Sequence, residues 1–97
     1  MLDYQLSPSE LTLSGQLKVQ YLDTLKEALL KAAQQGGLAC LNLSQVREVD
    51  TAGLQLLLAW LRQPRPQFIP RLTDVPEVVA RALRLGGLQS HFAPFME

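Results

Sequence analysis

Apolar and polar residues alternate at the start of the chain. Leu2-Asp3-Tyr4-Gln5-Leu6 has a period of two, as a half-buried strand requires. Ser7-Pro8-Ser9-Glu10 reads as a turn, and Leu11-Thr12-Leu13 alternates again before stopping at Ser14-Gly15, so the spacing predicts a hairpin. From about Lys18 the period changes. Val19, Leu22, Leu25, Leu29, Ala32 and Ala33 recur at helical steps, with Lys26, Glu27, Lys31 and Gln34 on the wet side. No strong N-cap precedes this helix, and Gly36-Gly37 is expected to close it. Leu38-Ala39-Cys40-Leu41-Asn42-Leu43 is short and almost wholly apolar, which suits a central strand covered on both faces; periodicity alone does not separate it from a buried helical turn. Cys40 is expected as a small core residue there. Ser44 to Asp50 reads as a connection with Val46 and Val49 turned inward.

A second helix is predicted from about Thr51 to Arg62. Leu54, Leu57, Leu58 and Leu61 form one stripe, while Leu56 and Trp60 fall off it. A helix apolar around most of its girth is either deeply buried or covered by a partner. Leu56 and Trp60 therefore either border an interaction surface or pack in the core. Gln63-Pro64-Arg65-Pro66 stops the helix, and Gln67 to Leu72 reads as a last strand that Pro70 restricts to an edge or a bulge. Arg62, Arg65 and Arg71 read as solvated surface. Asp74-Val75-Pro76-Glu77 has the form of a capping box before a third helix, whose apolar face is Val75, Val78, Val79, Ala82 and Leu83 and whose end is Gly86-Gly87. Phe92 and Phe95 are expected to fold the tail back onto the body, with the solitary His91 in a surface or packing role rather than a catalytic one. The element order is β-β-α-β-α-β-α: an α/β fold with a mixed sheet, its hairpin at one side, in a single domain over residues 1–97.

Composition narrows the functions. Nine basic and nine acidic residues balance, so no overall charge draws the chain to nucleic acid. One cysteine and one histidine exclude a disulfide framework and a zinc-ligand cluster, and a reducing, cytoplasmic setting is the default. The first residues lack the pattern of a secretory signal, and no apolar run approaches the ~20 residues of a membrane span, so direct membrane insertion is not expected. The residues offer no Ser/His/Asp or Cys/His set, no paired carboxylates with a pocket and no phosphate-cradling glycine loop, so no catalytic residue, metal or cofactor is assigned.

What remains is the stretch from Val46 to Leu58. Its joint carries the hydroxyl of Thr51, flanked by Asp50 and by the small residues Ala52 and Gly53. A helix start leaves backbone N–H groups without partners at the positive end of the helix dipole. Asp50 or Thr51 can cap that end, and a phosphate on Thr51 would meet the same donors. Thr51 is thus the candidate switch residue.

Leu41-Asn42-Leu43-Ser44, then Val49-Asp50-Thr51-Ala52-Gly53-Leu54, then Leu85-Gly86-Gly87-Leu88 resemble the STAS family, which includes the bacterial anti-sigma factor antagonists. The resemblance covers nearly the whole chain. It implies a mixed sheet with helices packed against it, and a regulatory protein-binding module. In regulatory members the first hydroxyl residue after the Asp accepts a phosphate from a partner kinase, which corresponds to Thr51. The partner-binding surface implied here comprises Asp50, Thr51, Ala52, Gly53, Leu54, Leu56 and Trp60. The chain also resembles STAS proteins of two other settings. One is the cytosolic, MlaB-like subunit of an ABC-type phospholipid-transport ATPase, and the other accompanies chemotaxis kinases. In these, Thr51 would be an interface residue. The implied partner is thus an anti-sigma or serine kinase, an ABC-type ATPase or a chemotaxis kinase, and the leucine-rich helix with Trp60 leaves room for a homodimer. Gln63-Pro64-Arg65-Pro66 departs from the family, whose members usually carry a longer helix and a Lys- or Gly-containing loop there.

Overall fold

The computed structural model describes residues 1–36, 40–63 and 70–96. Strand β1 (Leu2–Leu6) pairs antiparallel with β2 (Glu10–Leu17), Tyr4 opposite Leu13. Ser7 ties the turn: its amide donates to the Glu10 carbonyl at 2.9 Å, and its Oγ accepts from the Glu10 amide at 3.1 Å. The second strand does not end at Ser14-Gly15 as the alternation suggested. Gly15 sits at φ +96°, and a Cβ there would lie 2.3 Å from the Met1 carbonyl oxygen. That carbonyl accepts from the Gln16 amide at 2.9 Å. The glycine marks a close approach of strands rather than a turn.

Strand β3 (Cys40–Val49) runs parallel to β2, and β4 (Arg71–Thr73) parallel to β3, giving the order β1-β2-β3-β4. Most of the stretch read as a connection, Ser44 to Asp50, is therefore strand. The reason it did not look like one is in the pairing. Thr12 to Ser14 on β2 spans Asn42 to Gln45 on β3, and Gly15 to Gln16 spans Val46 to Glu48. Each slip puts one extra residue on β3 and resets its alternation. Val46 is buried as expected, and Val49 is half-buried.

The sheet has one apolar face. Leu11, Leu13, Leu41, Leu43 and Leu72 are buried there, with Tyr4 and Leu6 packed alongside. Asp3, Gln5, Thr12, Asn42 and Ser44 alternate with them and stay exposed or half-buried. The central strand β3 is thus covered on one face, not both. Cys40 is on the polar side, half-buried, with its Sγ 3.6 Å from the Glu10 carboxylate, so it is not a core residue.

Helix α1 (Leu22–Gln35) buries Leu25, Ala28, Leu29 and Ala32, and Gly36 closes it at φ +80°. It starts later than the periodicity suggested. Val19 to Tyr21 form a separate 3-10 turn, and Val19, expected on the buried stripe, is 58% exposed. Helix α2 (Thr51–Leu61) buries Leu54, Leu57, Leu58 and Leu61 as expected. Gly37 and the start of the strand predicted from Leu38 lie outside the described residues, as do Pro64 to Ile69 and with them Arg65, most of the proline stop and the first half of the last strand. Strand β4 follows the buried Pro70 at the sheet edge, where a proline costs no ladder bond.

The capping box before the third helix does not form. Asp74 has φ +52° and its carboxylate accepts from Asn42 Nδ2 at 3.3 Å. Helix α3 (Glu77–Leu85) starts instead from Pro76, whose carbonyl accepts from both Val79 and Ala80 at 3.0 Å. Its end does follow the sequence. Gly87, at φ +69°, donates to Arg84, and Leu88 donates to Leu83 at 2.9 Å, the pair of bonds of a Schellman motif. The tail forms a short helix α4 (Gln89–Phe92) and a 3-10 turn over Ala93–Phe95, neither evident in the periodicity. Phe92 is buried, and Met96 forms a bridge to Leu72. The predicted order β-β-α-β-α-β-α stands, with α4 added.

Candidate functional site

The site lies where β2 and β3 end, at the carboxyl edge of the parallel strands, which is where open α/β sheets place their ligands. The Asp50 amide donates to the Leu17 carbonyl at 3.1 Å, stitching the end of β3 to the end of β2. Asp50 then leaves the sheet in an extended conformation, φ −131° and ψ 173°. Its carbonyl accepts the first helical bond, from Leu54 at 3.2 Å, and its Oδ1 accepts from the Gly53 amide at 2.9 Å. Of the two candidate caps, then, Asp50 is the one used, and Thr51 is the first helical residue.

The second oxygen of Asp50 has another partner. Oδ2 accepts from the Val19 amide at 2.9 Å. Val19 opens the 3-10 turn leading into α1, so a single carboxylate holds the starts of two helical segments separated by 31 positions. This is why no N-cap could be found next to that turn in the sequence: its cap comes from Asp50.

Gly53 completes the joint by lacking a side chain. A Cβ on it would lie 2.2 Å from the Leu17 carbonyl oxygen and 2.7 Å from that carbonyl carbon. Only a glycine lets the first turn of α2 sit this close to the end of β2. Asp50 and Gly53 therefore both act on Leu17, one by bonding beside it and one by leaving room for it.

Thr51 is left exposed, with Ala52 half-buried and Gln55 exposed on the same helix. The amides of Thr51 and Ala52 lie ahead of the first intrahelical bond, and neither has a hydrogen-bond partner among the described residues. Not every donor expected for a phosphate is open, because Asp50 occupies that of Gly53. Leu54 points into the core at 2% exposure, and Trp60 is 8% exposed, so most of its ring is packed. Leu56 is half-buried. Among the partner-binding candidates, Thr51, Ala52 and Leu56 thus present accessible surface, Asp50 and Gly53 build the joint, and Leu54 anchors it from below.

Four further residues belong to this edge. The exposed side chain of Val19 is held beside Asp50 by its own backbone bond. Lys18 Nζ donates to Glu48 Oε1 at 2.8 Å, and Gln16 Nε2 donates to Glu48 Oε2 at 2.8 Å. The Lys18 bond, aided by Gln16, holds the Glu48 carboxyl below its ordinary value, and Glu48 raises the Lys18 ammonium above its own, with Asp50 adding to that effect. Sequence reasoning missed Val19 because its spacing fits the buried stripe of α1. It missed Glu48 because Glu48 fell in a supposed connection.

The model of the family described as "Mlab, STAS domain" matches residues 1–95. Among solved structures, the one described as "Structure of the Anti-Sigma Factor Antagonist SpoIIAA in its Unphosphorylated Form" is similar over 100% of this chain and 86% of that chain, with 15% identity and a TM-score of 0.66. At that identity the likeness is one of fold. No curated protein matches.

Proposed function

This chain belongs to the STAS domain family, and from that premise we propose that residues 1–97 form one STAS domain whose docking surface is centred on Thr51 and whose partner is released when Thr51 is phosphorylated. The observation that carries the reading is the division of labour at the joint: Asp50 caps α2, so the Thr51 hydroxyl on the first helical residue is exposed. Phosphorylation adds about −1.5 to −2 charges there. The Thr51 and Ala52 amides face that charge at the positive end of the helix, and the fold keeps its own cap. A protein packed over Thr51 would have to bury the added charge next to the Asp50 carboxylate, which is costly. The switch then acts on binding and leaves the shape alone. The role is that of an anti-sigma factor antagonist, a regulatory binding module rather than an enzyme, acting in the cytoplasm on a kinase-type partner. No helix among the described residues is long and apolar enough to cross a membrane.

A second reading is favoured by the description of the matching family model. There the domain is a constant, MlaB-like subunit of an ABC-type phospholipid-transport ATPase, and Thr51 is a contact at the interface. Copurification and two variants separate the two. Thr51→Glu should weaken partner binding by roughly tenfold or more while leaving the thermal midpoint nearly unchanged. Under the switch, Thr51→Val keeps the affinity, a kinase-type partner copurifies, and native protein gains the mass of one phosphate. Under the second reading Thr51→Val weakens binding as well, and the copurifying protein is an ABC-type ATPase. Full affinity in Thr51→Glu would remove Thr51 from both.

A further inference from the structure

The sheet has two outer strands, β1 and β4, and the chain treats their edges differently. The edge of β4 is covered by the tail: Met96 bridges to Leu72, and Arg71 Nη1 donates to the Pro94 carbonyl at 3.3 Å. Among the described residues none pairs with the outer side of β1. Across the hairpin the Met1 carbonyl accepts from Gln16 and the Ser7 amide donates to Glu10, both at 2.9 Å. By the alternation of an antiparallel ladder, Asp3 and Gln5 also turn their main-chain groups toward β2. Leu2, Tyr4 and Leu6 turn theirs outward. Of these outward groups only the Tyr4 amide has a partner among the described residues, the Asp3 carboxylate at 2.8 Å. The strand is held firm behind that edge, because the Tyr4 hydroxyl donates to Glu27 of α1 at 2.8 Å.

We propose that β1 pairs antiparallel with β1 of a second copy, about a two-fold axis at Tyr4, so that the two sheets become one. An open edge is a template for a further strand, and here the register selects a copy of itself. A ladder forms only where outward residues stand opposite one another. Centred on Asp3, such a pairing would set two carboxylates face to face. Centred on Gln5, it would put Leu2 opposite Pro8, which has no N–H to give. Centred on Tyr4, it places Leu2 opposite Leu6, Tyr4 opposite its own copy and Asp3 opposite Gln5, and every outward group is used. The Tyr4 amide exchanges the Asp3 carboxylate for the carbonyl of the partner's Tyr4. The released Asp3 carboxylate accepts from the side-chain amide of the partner's Gln5. Opposite residues of an antiparallel pair share a face, so the apolar face of one sheet continues into that of the other. The residues of the Thr51 site take no part.

A strand of 5 residues makes a short seam, so the dimer is weak, with a dissociation constant on the order of 100 µM. Sedimentation equilibrium of the full chain from about 0.01 to 1 mM should show monomer passing to dimer. Amide exchange should slow at Tyr4 and Leu6 as the concentration rises. Gln5→Lys sets an ammonium opposite the partner's Asp3 at two symmetric places and should tighten the dimer roughly fivefold. Gln5→Asp sets a carboxylate there and should weaken it by about the same factor. Gln5 is exposed, so neither change burdens the fold of the monomer. A chain that stays monomeric to about 1 mM would overturn the proposal. So would a dimer whose Tyr4 and Leu6 amides exchange at one rate at every concentration, or equal dimerisation of the two Gln5 variants.

Discussion

Replacing Gly53 by alanine tests the joint most sharply, because two physical effects of opposite sign compete there. In an exposed helix the change is favourable by about 1 kcal/mol, since alanine loses less chain freedom on folding. Here the new Cβ would stand 2.2 Å from the Leu17 carbonyl oxygen and 2.7 Å from its carbon, where ordinary contact begins near 3.4 Å. The obstacle is backbone in a strand, so it has no rotamer to yield. The first turn of α2 must retreat by roughly 1 Å, and overpacking of this kind costs typically about 1–3 kcal/mol. Retreat also strains the 3.1 Å bond from Asp50 to Leu17, for about 1 kcal/mol more. Set against the propensity gain, the net loss is about 1–3 kcal/mol, or roughly 5–20 °C in thermal midpoint for a domain of this size. Urea unfolding followed by circular dichroism and by Trp60 emission measures it. A Gly53→Ala protein as stable as the parent, or more so, would show that the turn does not rest on the Leu17 carbonyl and would refute the account.

Two other changes probe the same edge. Asp50→Ala removes the acceptor for both Gly53 and Val19 and should cost about 1–3 kcal/mol, the range of a lost helix cap plus a second hydrogen bond. Amide exchange should accelerate at Val19 and Gly53 together, and acceleration at Gly53 alone would contradict the shared cap. Glu48→Gln addresses the ion pair with Lys18. A carboxyl held below its ordinary value stabilises the fold above that value, near 4.3, and the contribution is lost as pH falls through the lowered one. The raised Lys18 ammonium contributes below its ordinary value, near 10.4, and loses that contribution as pH rises through the raised one. The gap in thermal midpoint between parent and variant should therefore be widest near neutral pH and close at both extremes. A gap constant from pH 3 to 11 would count against the pairing.

What the sequence revealed and what it hid divide along one line: contacts made between neighbours in the chain could be read, and contacts made across it could not. The leucine stripe of α2, the Gly36 stop and the Schellman end of α3 are local, and each residue type states its own role. The capping box at Asp74 had the right letters, yet Asn42 of β3 holds that carboxylate and Pro76 starts the helix. Strand β3 looks shorter in the sequence than it is, because its two slips against β2 break the alternation on which strand recognition depends. The spacing of Val19 suits the buried stripe of α1, yet its amide bonds Asp50 and its side chain is exposed. At the candidate site, Asp50, Thr51 and Gly53 stood out by position alone. Their separate duties needed Leu17, which lies 33 positions before Asp50 in the chain.

That separation of duties bears on why a threonine suits the first position of α2. Threonine is a mediocre helix former, and its usual merit near a helix start is to cap. Here the cap is Asp50, and Leu54 supplies the buried anchor, so the fold asks little of the Thr51 side chain. A residue on which stability does not depend can be modified, or covered by another protein, without disturbing the core beneath it. A switch on this edge has few other places to sit. A charge added at Ala52 would press a half-buried position, and one at Gly53 would meet the Leu17 carbonyl. Thr51 is the position in this turn that combines a hydroxyl with open space, and the stability of Thr51→Glu therefore reads the fold while its affinity reads the partner.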